Sequence, residues 1–142
     1  MTIKKKAHSV WKGTIKEGKG FISTESEALI EQPYGFNTRF EDKKGTIPEE
    51  LIAAAHSACF SMALSKIIEE AGLKPDLIDT KATVYLEKRE AGFEVPRVHL
   101  DLKLQIPNSD EDTLKRLALK AKENCPISKL LTAEITLDIN YL

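Results

Sequence analysis

The amino-acid sequence predicts an α+β fold in a single domain, residues 1–142, built from antiparallel sheets and two long helices. Three observations carry this prediction. Apolar and polar residues alternate strictly in the second half of the chain, two long stretches have helical start and stop signals, and those stretches fall between runs of strands. The first thirty residues read as short strands around a Gly18-Lys19-Gly20 turn. Residues 31–45, with Pro33, Tyr34, Gly35, Phe36 and Arg39, form the one extended irregular stretch. A helix over residues 49–71 opens after Thr46-Ile47-Pro48 and stops at Gly72, with proline at the entry and glycine just past the exit. Residues 80–88 alternate with Ala82, Val84 and Leu86 on one face, and in residues 97–106 every even position from Val98 to Ile106 is apolar. A longish charged loop, residues 89–94, makes these two runs an antiparallel hairpin.

The second helix, residues 109–124, opens with Ser109 as its cap and Asp110, Glu111 and Asp112 against the helix dipole. Leu114, Leu117, Ala118 and Ala121 lie on one face at i, i+3, i+4, i+7 spacing. A short helix starts at Cys125-Pro126 and runs through Leu131, and Ile135, Leu137, Ile139 and Tyr141 alternate in a last strand.

Charge excludes some functions. Twenty-one basic residues nearly balance 22 acidic ones, for a net charge of −1, so no global footprint for nucleic acid or an anionic membrane exists. The basic N-terminus has no apolar run behind it and is not a signal peptide. The uncharged stretch at residues 51–65 measures only about 22 Å as a helix, short of a bilayer core. A cytoplasmic location is therefore expected. Two cysteines, Cys59 and Cys125, are too few for a disulfide scaffold or for a zinc site without other ligands. In a reducing compartment a bond between them would be transient or catalytic.

The helix at residues 49–71 carries no charge between Glu50 and Lys66, and its apolar side chains point in nearly every direction. A helix of that kind is buried on all sides. One sheet covers one face only, which predicts an obligate dimer with this helix between two subunits.

Four residues are candidates for chemistry. Cys59, mid-helix in Ala-His-Ser-Ala-Cys-Phe, reads either as a small buried hydrophobe or as a nucleophile. Cys125 precedes Pro126 at a helix start, where free amides favour a thiolate, so by helix-dipole reasoning alone it is the attacking thiol. Glu49 fits a Thr46-to-Glu49 capping box. It stands ten residues before Cys59, about 15 Å along the helix axis, so any service to a Cys59 site falls to the other chain. Arg39 alone would be an ordinary arginine. His56, one turn before Cys59, reads as a packed, hydrogen-bonded histidine rather than half of a Cys–His nucleophile pair. A metal site from His56, Cys59 and Glu49 is disfavoured, because their helical spacing does not converge them.

Taken together, Gln32-Pro33-Tyr34-Gly35-Phe36-Asn37-Thr38-Arg39-Phe40, Pro48-Glu49-Glu50-Leu51, Ala54-Ala55-His56-Ser57-Ala58-Cys59-Phe60, Asn124-Cys125-Pro126-Ile127-Ser128 and Ala133-Glu134-Ile135-Thr136-Leu137 strongly resemble the OsmC and organic hydroperoxide resistance family across the whole chain. The resemblance implies an intertwined homodimer with two interface sites and a thiol-dependent peroxidase that needs no metal, haem or flavin cofactor. It makes Cys59 the peroxidatic cysteine, Cys125 the resolving one, and Arg39 with Glu49 the pair that activates the thiolate, reversing the helix-dipole reading. Phe60, Met62 and Leu51, the apolar side chains near Cys59, favour an alkyl or lipid hydroperoxide over hydrogen peroxide, and the resemblance implies an external dithiol, such as a dihydrolipoyl group, as reductant. A binding module for a small apolar ligand, or a cysteine hydrolase using His56, would not need Cys125.

Overall fold

The alternation of residues 97–106 becomes the central strand of the larger of two sheets in the computed structural model, which describes residues 1–142. The elements are β1 (Ala7–Lys12), β2 (Lys19–Thr24), β3 (Gln32–Tyr34), α1 (Phe36–Phe40), α2 (Pro48–Glu70), β4 (Leu77–Arg89), β5 (Gly92–Gln105), α3 (Glu111–Asn124), α4 (Pro126–Leu130) and β6 (Glu134–Tyr141). They group into two units, Met1–Leu51 and Ile52–Leu142.

In the second unit β5 lies between β4 and β6. Val98, Leu100, Leu102 and Leu104 project from one face of β5 and are at most 1% exposed. They share a core with Phe60, Leu64 and Ile68 of α2 and with Leu114, Leu117, Ala118 and Ala121 of α3. The period of two on the strand and the i, i+3, i+4, i+7 face on the helix meet there, and together they bury most of the apolar surface.

Four details differ from the sequence expectations. The β4–β5 connection is tight: Glu90 and Ala91 alone separate the paired residues Arg89 and Gly92, and Gly92 takes a φ of 125°. Of the charged residues assigned to the loop, Arg89 and Glu94 lie in the strands instead, and Arg89 bridges Glu87 at 2.7 Å and Glu94 at 2.9 Å. The cap of α3 is Asp110 rather than Ser109; its carboxylate accepts from the Thr113 amide and hydroxyl, each at 2.8 Å. Those bonds hold its carboxyl below the usual range. Finally, β6 runs parallel to β5, so this sheet is mixed. The α3–α4 connection carries the chain back to the starting end of β5, as a parallel pair requires.

The first unit is a three-stranded antiparallel sheet in the order β1-β2-β3. Its first turn lies upstream of the expected position, between Gly13, at a φ of 99°, and Gly18, whose amide bonds the Thr14 carbonyl at 2.7 Å. Gly20 is inside β2, where a Cβ would come within 2.8 Å of the Trp11 ring and 2.5 Å of the Tyr34 ring. The stretch taken as irregular contains β3 and α1. Its order comes from Thr38, whose hydroxyl accepts the Gly35 amide at 3.0 Å and reaches the Thr46 carbonyl at 3.1 Å. Such contacts leave no periodic trace in sequence.

Helix α2 is apolar all round but is covered along one stripe only. His56, Phe60, Leu64, Ile67 and Ile68 are buried, whereas Ala54, Ala55 and Ala58 are exposed and Met62 is 75% exposed. By length and composition α2 would also suffice to cross a membrane.

Candidate active site

The sequence candidates fall into two pairs. In the first unit, Arg39 at the end of α1 and Glu49 in the first turn of α2 form a two-pronged ion pair. The Arg39 Nε–H donates to Glu49 Oε2 at 3.2 Å, and a second guanidinium N–H donates to Oε1. Glu49 is mostly covered, at 12% exposed, whereas Arg39 stays open to solvent at 34%, and the two-pronged geometry makes the fork specific. The expected capping box is not formed. The Thr46 amide and hydroxyl both go to the Pro33 carbonyl, at 2.8 and 3.0 Å, and the Glu49 carboxylate is thereby left for arginine. A hollow of about 310 Å³, lined by Trp11, Tyr34, Phe36, Phe40 and Pro48, opens beside Arg39.

In the second unit, α2 presents Cys59 to the junction between α3 and α4, where Cys125 is the last capping residue of one helix and the first of the next. Both thiols are free, and they lie within hydrogen-bonding reach of each other. The Ile127 amide lies beside the Cys59 sulfur. Burial pushes the Cys59 thiol up, the Ile127 amide pulls it down, and the neighbouring Cys125 thiol raises it again. The free amide of α4 that the helix-dipole argument invoked for Cys125 lowers the pKa of Cys59 instead, and Cys125 is completely buried.

Cys59 itself is only partly buried, contrary to the reading as a small core residue. It faces a hollow of about 600 Å³ with Met62, Ala63, Ile67 and Pro126 on its walls and Lys66, Glu70 and Lys120 among its polar lining. The neighbouring Phe60 points the other way and is fully buried.

His56 is fully buried, as expected of a packed histidine, and burial lowers its pKa and keeps it neutral. Its Nε2 lies 2.8 Å from the Ser128 hydroxyl of α4. Neither Ser128 nor the Ile127 amide was singled out in the sequence. The Asn-Cys-Pro-Ile-Ser run contains both, but only tertiary packing brings them to α2.

No metal cluster forms around Cys59. Three groups close enough to hold a cation lie instead on the strand face of the larger sheet, where His99 Nε2 is 3.3 Å from carboxylate oxygens of both Asp101 and Asp138. The His99 Nδ1 bonds Thr136 at 2.6 Å. Both carboxylates are exposed, and the thiol pair makes no use of this cluster.

A family profile described as OsmC-like protein matches residues 41–140. The chain is 56% identical over 138 residues to peroxiredoxin OsmC of Escherichia coli, covering 97% of this chain and 96% of that one. The chain belongs to the OsmC family. It is also 28% identical over 120 residues to the organic hydroperoxide resistance protein OhrB of Bacillus subtilis, covering 83% and 86% of the two chains. The crystal structure of that OhrB superposes with a TM-score of 0.68 at 25% identity, over 96% of this chain and 98% of the other. An OsmC-like protein from Vibrio cholerae shares the fold, with a TM-score of 0.77 at 18% identity over 98% and 100% of the chains. With this membership and its paired thiols, the OsmC-family chain is a cysteine-based peroxidase, an oxidoreductase.

Proposed function

We propose that Cys59 attacks the peroxide and Cys125 resolves the product. The Cys59 thiolate attacks the distal oxygen, so that an S–O bond forms as the O–O bond breaks; the leaving alkoxide takes up the equivalent of the proton released when Cys59 ionised and departs as an alcohol, and a Cys59 sulfenic acid remains. The Cys125 thiol condenses with it, giving a Cys59–Cys125 disulfide and water. An external dithiol, for which a dihydrolipoyl group is the proposed carrier, returns both thiols by exchange.

The observation that carries this reading is the meeting of two free thiols under one backbone amide. A ligand-binding module would need no such pair. A hydrolase would need His56 on Cys59, whereas its Nε2 is bonded to Ser128. The apolar walls of the Cys59 hollow support an alkyl or lipid hydroperoxide over hydrogen peroxide. Unequal kcat/KM for cumene hydroperoxide and hydrogen peroxide is the expected result, and equal values would overturn that preference.

Burial works against the Cys59 thiolate, so a cation is needed beside it. We assign that role to the Arg39 guanidinium, held by Glu49 and delivered by a second copy of the chain. The uncovered apolar side of α2 supports a homodimer. In that reading the 142 residues act as one domain, in the cytoplasm, with no nucleic-acid or membrane partner.

The test is chemical. One equivalent of organic hydroperoxide added to reduced protein should remove both thiols and leave a Cys59–Cys125 link by mass spectrometry, abolished in Cys59→Ser. Two intact thiols would refute the proposal. A monomeric mass by light scattering at micromolar concentration would refute the dimer.

A further inference from the structure

Helix α4 is short, and none of its five residues is fully buried. Ile127 and Leu131 pack only partly against the core. An element held so lightly does not keep its place by apolar burial alone. One hydrogen bond fastens it to α2, between Ser128 and His56 Nε2, and beside it the Ile127 amide approaches the Cys59 sulfur. Their partners on α2 are also neighbours, since His56 and Cys59 are three residues apart on one helix, about 4.5 Å of rise.

The Ser128–His56 bond is unusual in its setting. His56 is completely buried and its Nδ1 has no partner. If Ser128 donated to Nε2, the imidazole proton would have to sit on Nδ1 as a buried, unpaired donor, at a cost of about 1–3 kcal/mol. The favoured tautomer places the proton on Nε2, which donates to the Ser128 oxygen and leaves only a lone pair unmatched. The imidazole is then a neutral donor of fixed direction in a buried site, with Ser128 as its acceptor.

We infer that His56 and Ser128 are positioning residues for the Cys59–Cys125 reaction: their bond holds α4 in the register that keeps the Ile127 amide on the Cys59 sulfur and Cys125 within reach of the sulfenic acid. His56 touches neither sulfur and is not a nucleophile's base. It acts through α4. Without the bond, the first effect is loss of the amide that favours the Cys59 thiolate, and the second is slower closure of the disulfide. This inference rests on the proposed roles of the two thiols, but its first effect is measurable without any peroxide.

The experiment uses full-length protein in a Cys125→Ser background, so that iodoacetamide reports Cys59 alone across pH. The charged groups lining the same hollow, Lys66, Glu70 and Lys120, are unchanged throughout. Ser128→Ala should move the midpoint of Cys59 alkylation to higher pH by about half a unit or more, and Ser128→Thr, which keeps the hydroxyl, should restore it. In a Cys125-containing background, Ser128→Ala and His56→Gln should raise the fraction of Cys59 trapped by dimedone after one equivalent of cumene hydroperoxide severalfold. An unshifted alkylation midpoint together with unchanged trapping overturns the inference, whether or not thermal stability has fallen. A shift that Ser128→Thr fails to restore overturns the role of the hydroxyl bond. Failure of the peroxidase reading looks different: the wild-type protein itself would retain both thiols after peroxide.

Discussion

The two units of this chain are held by different forces. In Ile52–Leu142 a continuous apolar core contains fourteen buried hydrophobic residues, Cys125 among them. In Met1–Leu51 only Gly20 and Thr38 are fully buried, and Val10, Trp11 and Phe21 lie open. Order there comes from glycine contacts, the Thr38 hydroxyl and the Arg39–Glu49 fork. The candidate pairs divide in the same way, with charged groups joined by hydrogen bonds in one unit and two free thiols at the edge of a core in the other. A sheet of so little buried surface is poorly stabilised by itself, which is a further reason to expect a second copy.

Substitutions can break or sharpen this contrast. The largest effect should come from the thiols. Cys59→Ser should reduce peroxide turnover by about 10⁴-fold or more, as loss of a nucleophile generally does. Cys125→Ser should leave the first oxidation intact and let sulfenic acid accumulate, seen by dimedone labelling in a single turnover. In the core, Leu100→Ala should lower unfolding free energy by about 2–5 kcal/mol, read from urea midpoints. A loss as large from Trp11→Ala would show that the first unit has a buried core of its own in the assembled protein.

Glu49→Gln tests the charged pair. It should reduce peroxidase kcat/KM by roughly tenfold or more, since a hydrogen bond to a charged group contributes about 1.5–3 kcal/mol, alongside whatever stability the fork gives the first unit. A fall in stability with unchanged rate would make the fork a structural clasp only. The smallest effect concerns pH. Burial lowers the His56 pKa below its ordinary 6.5, so the unfolded chain takes up that proton first as pH falls. Stability is thus complete above about pH 6.5 and declines below it. His56→Gln should remove that part of the acid dependence, visible as a flatter slope of urea midpoint between pH 7.5 and 5.

What could be read in advance followed the same divide. The period of two in β5 and the spacing of Leu114, Leu117, Ala118 and Ala121 on α3 were legible because burial imposes them on composition. Helix α2 was legible for the same reason, and its uniform apolarity signalled more covering than one chain supplies. The order in residues 31–45 was not, because Thr38 and Thr46 create it through single hydrogen bonds to backbone groups. Nor was the direction of β6, since alternation looks the same in parallel and antiparallel ladders. At the site, the four candidate residues were legible only as a combination of short motifs. The amide of Ile127 could not be found that way, because any residue but proline at that position would offer one.

One feature of α4 reaches beyond normal turnover. A helix with no fully buried residue opens more readily than the core beneath it, and in the proposed reaction each opening would loosen the α3–α4 junction that holds Cys125 near the 600 Å³ hollow faced by Cys59. On the proposed roles, a second peroxide would then compete with the resolving thiol and carry Cys59 to the sulfinic acid, from which thiol exchange offers no return. The local stability of five residues would then set the peroxide concentration at which the protein is inactivated by its own substrate.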